Sequence, residues 1–319
     1  NGNCAEASEA LNAIKERGDL SADFHEDYGW VLYRYLKQNY TTLPSLSTRR
    51  ILHEYLQLNN SRPSMLHSQI LGLAAKIAET HSDFKLLNFV GLWGAENFSA
   101  DDFSENTFND ITIAPLFDRV VRSCAKVGYA ARDILSTFVP SADENMMHRA
   151  QQAIAQEYYW LLYQNRDNPR QYSIVVAHYL QCIEGVEFRN EYHSKILQSV
   201  CYYAKENDYF DFKHFFEHWG FTSFITDDWK PRENSEGKKY SSMAESAISL
   251  YTHYLRSKHC RPHDYAQYET LLKEAIARVR DNFFMRIGKR FIINMHYVYS
   301  INVLKQQLIL SDYDHFAFQ

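Results

Sequence analysis

Residues 89–103 and 215–229 spell one pattern twice. Phe89-Val-Gly-Leu-Trp93-Gly94-Ala-Glu-Asn-Phe98-Ser-Ala-Asp101-Asp102-Phe103 returns as Phe215-Phe-Glu-His-Trp219-Gly220-Phe-Thr-Ser-Phe224-Ile-Thr-Asp227-Asp228-Trp229, 126 residues further on and without a gap. The register extends backwards: His67-Ser68-Gln-Ile70-Leu71 matches His193-Ser194-Lys-Ile196-Leu197, and Ala78 matches Ala204. Tyr55-Leu56-Gln57 matches Tyr179-Leu180-Gln181 after a two-residue slip, and Gly29-Trp30-Val-Leu-Tyr33 matches Tyr159-Trp160-Leu-Leu-Tyr163 at an offset of 130. The chain is therefore a duplication of a unit of about 126–130 residues. Repeated supersecondary units bury their apolar faces against their neighbours, which favours stacked architectures.

Each copy reads as a run of helices. Asn145 to Tyr163 places Met146, Ala150, Ala153, Ile154, Tyr158, Leu161 and Leu162 close to a 3.6-residue period. Tyr172–Ile183, Glu191–Lys205 and Phe210–Trp219 follow, with breaks at Pro169, Gly185 and Asn207-Asp208. Their partners in the first copy are Phe24–Leu36, Leu46–Leu58, Ser64–Thr80 and Asp83–Trp93. Ser61-Arg-Pro63 offers a cap for the third of these. Pro115–Thr137 and Ser241–Lys258 open matching helices after the repeated motif. A third, partial copy is expected from near Tyr268, where Ala275-Ile276-Ala277 echoes Ala153-Ile154-Ala155 and Ser311–Phe316 echoes Asn207–Phe212. No segment sustains a period of two, and only 11 glycines and 7 prolines leave few tight turns for sandwiches or barrels. The expected fold is all-α, an α-solenoid of antiparallel helix pairs. Its repeats are expected over 1–140 and 141–263, with a partial third over 264–319, in one continuous stack.

Two sets of residues carry a family resemblance. Gly29-Trp30-Val-Leu-Tyr33 resembles the aromatic face of tetratricopeptide-type helices. Leu92-Trp93-Gly94-Ala-Glu-Asn-Phe98-Ser-Ala-Asp101-Asp102-Phe103 is similar to the large helical-repeat proteins of bacterial TOTE-type conflict systems. So is Asp227-Asp228-Trp229 with Glu236-Gly237-Lys238-Lys239-Tyr240-Ser-Ser-Met-Ala-Glu245. The resemblance implies a scaffold in a bacterial defence or regulatory setting and supplies no catalytic residues. Members of that family often continue into a small nucleic-acid-binding barrel, and the sequence shows no segment of that kind.

Bulk chemistry narrows the partners. Lys and Arg number 34 against 39 Asp and Glu, a net charge of −5, so the clustered cations that drive nonspecific nucleic-acid binding are scarce. Mean hydropathy is −0.46, and no apolar run approaches membrane-spanning length. The five cysteines, Cys4, Cys124, Cys182, Cys201 and Cys260, form no C-x-x-C pair and suit reduced thiols in the cytoplasm. The chain opens on Asn1 with no basic stretch followed by an apolar one.

Candidate chemistry is sparse. His214-Phe-Phe-Glu217-His218 fits the H-x-x-E-H zinc-peptidase pattern, with two His on one helix face and Glu217 as general base. Its counterparts in the first copy are Asn88, Gly91 and Leu92, so the duplicated scaffold does not require a metal there. A third ligand would have to come from Glu233, Glu236 or Glu245. Asp101-Asp102 and Asp227-Asp228 read as acids at a helix start rather than a catalytic pair. His67 and His193 recur with the repeat and read as packing residues, as do the repeat positions Trp30 with Trp160, Trp93 with Trp219, and Asp102 with Asp228. Cys201 has Ala75 as its counterpart. No nucleotide or nucleophile fingerprint, and so no cofactor, is indicated.

The reading that follows is a noncatalytic interaction scaffold, not an enzyme, that grips a protein or peptide partner and has no membrane or direct nucleic-acid contact. Alternatives are a nucleic-acid-associated repeat protein and a zinc hydrolase built on residues 214–218. Shared residues hold a stack together, so binding residues are sought where the copies differ. That selects His178, Arg189, Tyr202 and Lys205. The polar stretch Asp228–Tyr240 is expected to be irregular.

Overall fold

The computed structural model describes residues 22–58, 64–108, 110–139, 143–207, 209–233, 237 and 239–257, and the stretches 284–287, 291–294, 298–302, 307–310 and 315–317. The described chain is mostly helical. Eleven α-helices are present among those residues: α1 Ala22–Asn39, α2 Ser45–Leu58, α3 Met65–Thr80, α4 Leu86–Trp93, α5 Leu116–Lys126, α6 Ala131–Phe138, α7 Glu144–Gln164, α8 Pro169–Ile183, α9 Glu191–Glu206, α10 Phe212–Trp219 and α11 Met243–Ser257. The chain divides into two compact bodies, residues 1–196 and 197–319, with the division inside α9.

Local chemistry sets the helix ends. Ser64, rather than Ser61, caps α3, its hydroxyl accepting from the His67 N–H at 3.1 Å; residues 61–63 lie outside the described set. Asn168 caps α8, whose first residue is Pro169, a position where the missing N–H costs nothing. The single helix expected over Pro115–Thr137 is two, α5 and α6, because Gly128 at φ 93° turns the chain between them.

In the first body, α5 packs against both α3 and α7, and its Phe117, Val120, Val121 and Cys124 are fully buried. At the end of α4 the Trp93 ring lies flat on His67, with centroids 4.6 Å apart. Trp93 Nε1 donates to the His67 carbonyl at 3.1 Å, and Asn97 Nδ2 donates to the Trp93 carbonyl at 2.6 Å. His67 Nδ1 meets the Tyr55 hydroxyl at 3.1 Å, so a buried imidazole is satisfied without charge. Phe98 then closes the corner, 4.9 Å edge-on to Trp93 and against Phe103, Phe117 and Phe138.

The duplication reaches these details. The second copy repeats the Tyr179 hydroxyl on His193 Nδ1, with the His193 N–H on the Asn190 side chain. In the second body Trp219 meets Phe224 edge-on at 4.9 Å, and Ser223 Oγ donates to the Trp219 carbonyl at 3.1 Å. Gly94 and Gly220, at φ 88° and 95°, turn the chain after each tryptophan. One repeat position departs from the packing expectation: Trp160 is 43% exposed, standing edge-on to Tyr163 on the outer face of α7, while Trp30 is half-buried in the same pairing with Tyr33.

Strands appear where none was expected. Each repeated Asp-Asp turn is followed by a short antiparallel hairpin, β1 Asn106–Phe108 with β2 Ile111–Ile113, and β3 Arg232–Glu233 with β4 Lys239–Tyr240. The stretch expected to be irregular, Asp228–Tyr240, thus contains the second hairpin. Near the C-terminus, β5 Phe284–Ile287 pairs with β6 Phe291–Asn294, and β7 Val298–Asn302, β8 Gln307–Leu310 and β9 His315–Ala317 form an antiparallel sheet. These strands lie within the range 264–319 expected for the partial third copy, whose remaining residues are outside the described set. Tyr268 and the echo at Ala275–Ala277 lie outside the described residues.

Two outcomes follow. Burial holds the His67 pKa below its ordinary value, against the weaker opposing pull of the Trp93 carbonyl and Asp102. The folded state therefore binds fewer protons than the unfolded chain, and this stabilisation is present above about pH 6.5 and lost as the pH falls below it. Urea unfolding at pH 7 and pH 5 is expected to show a lower midpoint at pH 5, with that difference reduced in a His67→Phe variant. Gly94→Ala places a Cβ 2.6 Å from Glu96 Oε1 at a positive φ and is expected to cost about 1–2 kcal/mol in the same assay.

Candidate functional site

The first body carries an open groove of about 780 Å³ between α1, α3, the turn at 100–103 and α5. Tyr33, Lys37 and Tyr40 come from α1 or its end, Ser68, Gly72 and Lys76 from successive turns of α3, and Arg119 from α5. Spacings of four on α3 and of four and three on α1 put these side chains on one helix face each.

The cations in this groove are poorly matched. The Arg119 Nε is buried and meets no hydrogen-bond acceptor among the described residues. Burial, followed by nearby Arg122, pushes its pKa below the ordinary arginine value, with Asp102 opposing; arginine nonetheless stays charged at neutral pH. Lys76 Nζ has no ion-pair partner among the described residues, and Lys37 Nζ sits 5.4 Å from the Tyr33 ring centroid. Of the two acids, Asp102 is committed to structure. Its Oδ2 accepts from the Ser99 N–H and Ser99 Oγ at 2.8 Å and from Ser68 Oγ at 3.0 Å, and Asp228 Oδ2 likewise accepts from the Ile225 N–H at 2.9 Å. Asp101 is exposed on the groove wall.

Gly72, Lys76 and Arg119 also line a second compartment of about 200 Å³, with Glu79, Arg122, Lys126 and Glu157 on its walls. There Glu79 is fully used: Oε1 accepts from Ser123 Oγ at 2.7 Å and Oε2 from Lys126 Nζ at 2.6 Å.

The positions selected from sequence fall elsewhere. His214 and His218 are exposed on α10 with ring centroids 4.1 Å apart, and His218 Nδ1 meets the His214 carbonyl at 2.8 Å. Glu217 Oε1 accepts from the Tyr251 hydroxyl at 2.7 Å, and Glu245 accepts from the Ser242 N–H at 3.0 Å as a helix cap. No three His, Cys, Asp or Glu side chains converge on a metal position among the described residues. Cys124, Cys182 and Cys201 are buried thiols, with burial pushing Cys182 up to about 11 and Cys201 up to about 12, far from a reactive thiolate; Cys4 and Cys260 lie outside the described residues. His178 is exposed on α8, Arg189 pairs with Glu187 at 2.7 Å, and Tyr202 and Lys205 are exposed together on α9, 6.0 Å from ring centroid to Nζ.

Tyr202 and Lys205 were selected because the copies diverge there, and their counterparts 126 residues earlier are Lys76 and Glu79. Of these, Lys76 lines the groove and Glu79 the second compartment. The second hairpin is one residue longer than the first, which shifts the later offset to 127 and pairs Arg119 with Ser246, itself bonded to Arg232 Nη2 at 3.0 Å. The cations of the groove thus belong to the first copy alone, whereas its capping Asp102 and Ser68 are repeated.

No family model matches the chain, and no solved structure matches it. It is similar to a 2-(3-amino-3-carboxypropyl)histidine synthase of Methanocaldococcus jannaschii, 28% identical over 119 residues, which are 35% of this chain and 34% of that protein. The chain thus spans about a third of the length of this curated relative. The relative is a named enzyme, and it overturns the expectation of a noncatalytic scaffold and of a chain without enzymatic function. Among the described residues no helix is long and apolar enough to cross a membrane.

A half-buried charge without a partner costs folding energy, so Arg119→Met is expected to leave thermal stability unchanged or raise it, by up to about 1 kcal/mol. A calorimetric melt of the variant checks this; a large loss of stability would give Arg119 a packing role instead.

Proposed function

We propose that the chain is an enzyme whose groove in the first body takes an amino-acid-like group, with its carboxylate on Arg119 and Lys76 and its ammonium towards Asp101. The observation that carries this reading is the Arg119 guanidinium, which lines an open groove and whose buried Nε meets no acceptor among the described residues. A guanidinium fork suits a carboxylate, and the second cation and the facing acid make the groove complementary to a zwitterion rather than to a simple anion. The name of the M. jannaschii relative describes a histidine bearing a propyl group with an amine and a carboxylate on one carbon, a group of this chemistry. We also infer that the helix pairs keep the order of a TPR-like α-solenoid and that the protein works in the cytoplasm. The residue-by-residue repetition supports the first, and the buried free thiols Cys124, Cys182 and Cys201 support the second.

Calorimetric titration with 2-aminobutyrate, the free acid of that group, tests the site. Saturable binding is expected, weakened about 10- to 100-fold by Arg119→Gln, the range for losing a charge-assisted hydrogen bond. Butyrate, which lacks the ammonium, and 2-aminobutyramide, which lacks the carboxylate, are expected to bind more weakly. Equal affinity for all three, or no binding at millimolar ligand, overturns the reading.

A further inference from the structure

Arg119 has a counterpart of the same chemistry, one element away, in the second copy. The gapless register that runs through the repeated motif to Phe103 and Trp229 continues into the hairpins. It pairs Asn106, which opens β1, with Arg232, which opens β3. Their cross-strand partners, Ile113 and Tyr240, correspond as well. Arg232 is half-buried and ties its hairpin to the segment that follows. Its Nε donates to the Ser241 carbonyl and its Nη2 to Ser246 Oγ of α11, both at 3.0 Å. Ser246 is the counterpart of Arg119. The two copies therefore hold a guanidinium on opposite sides of one junction, on the hairpin in the second copy and on the helix in the first.

In the first copy that junction is left open. Asn106 and Arg119 both line the groove. An asparagine and an arginine together reach about as far as the arginine and serine that meet in the second copy. No hydrogen bond between them is present among the described residues, and Arg119 Nε is buried without an acceptor. The hairpin meanwhile lies out in solvent: Asn106, Thr107, Ile111, Thr112 and Ile113 are all exposed. Two strands alone are marginally stable, so a hairpin in that position gains from any tie to the body.

The chemistry of the missing tie is set by the groups on either side of it. Asn106 Nδ2 and the guanidinium N–H groups are donors, and donors facing each other across a gap are bridged by an acceptor with two oxygens. We propose that Asn106 is a further binding residue for the ligand's carboxylate, an assignment that rests on the amino-acid reading of the groove. One carboxylate oxygen takes the Arg119 guanidinium, and the other accepts from Asn106 Nδ2. The bound ligand then does in the first copy what Arg232 does in the second: it fastens the hairpin to the helix.

Amide hydrogen exchange on the full chain, with 2-aminobutyrate as the probe, tests the assignment. Saturating ligand is expected to slow exchange in the strands 106–108 and 111–113 at least about fivefold, with the β3–β4 hairpin unchanged as the internal control. Asn106→Ala is expected to weaken calorimetric binding about 3- to 10-fold, the range for one hydrogen bond, and to abolish that slowing. Asn106→Arg with Arg119→Ser writes the second copy's tie into the first, where the Ala114 carbonyl corresponds to that of Ser241. This exchanged pair is expected to slow the same amides with no ligand present, and exchange no slower than in the wild type overturns the assignment. Binding that leaves the hairpin's exchange unchanged, or that Asn106→Ala does not weaken, overturns the assignment and leaves the groove reading standing. Absence of 2-aminobutyrate binding overturns the groove reading, and the assignment falls with it.

Discussion

The helices of the first copy are fixed where an indole and an imidazole meet. In the first copy Trp93 lies on His67, donates to its carbonyl and leaves its own carbonyl to Asn97, while Tyr55 satisfies the imidazole from the other side. Buried polar groups are tolerated only when every one is paired, so this arrangement admits few alternatives for the relative placement of α2, α3 and α4. The positive-φ glycine after each tryptophan then directs the chain into the Phe98 or Phe224 corner. Aromatic residues, rather than turns, set the geometry, which is why a chain with 23 Tyr and 20 Phe manages on 11 Gly.

Duplication separates what the fold needs from what it carries. Residues present in both copies, such as the Tyr–His pairs and the Asp at each short turn, sit in closed hydrogen-bond sets. Arg119 and Lys76 occur in one copy, form no ion pair among the described residues, and line the groove. Unpaired charges at partly buried positions reduce stability, and proteins keep them chiefly where a ligand supplies the missing partner.

Much of the helical fold was legible in the sequence because period and repetition agree. The expected limits of α7, Asn145–Tyr163, fall within one residue of Glu144–Gln164. The break at Gly128 was missed because the apolar period continues across it, through Cys124 and Ala131, and only the backbone angle shows the turn. The C-terminal strands have a local signal in Val298-Tyr-Ser-Ile-Asn302 and Gln307-Leu-Ile-Leu310, rich in strand-forming residues, which the echoes of the helical repeat obscure. The groove was half legible. Divergence between copies pointed to Tyr202 and Lys205, whereas the groove lies at Lys76, the counterpart of Tyr202. Periodicity could not choose between copies, because the choice depends on which face is left uncovered.

The central claim is that the first copy's groove is chemistry added to a scaffold that folds without it. A double variant that writes the second copy's residues into the first, Lys76→Tyr with Arg119→Ser, measures both halves of that claim. The account expects a cooperative thermal transition at or above the wild-type temperature, together with loss of 2-aminobutyrate binding. Unfolding of the variant, or undiminished binding by a folded one, would contradict it.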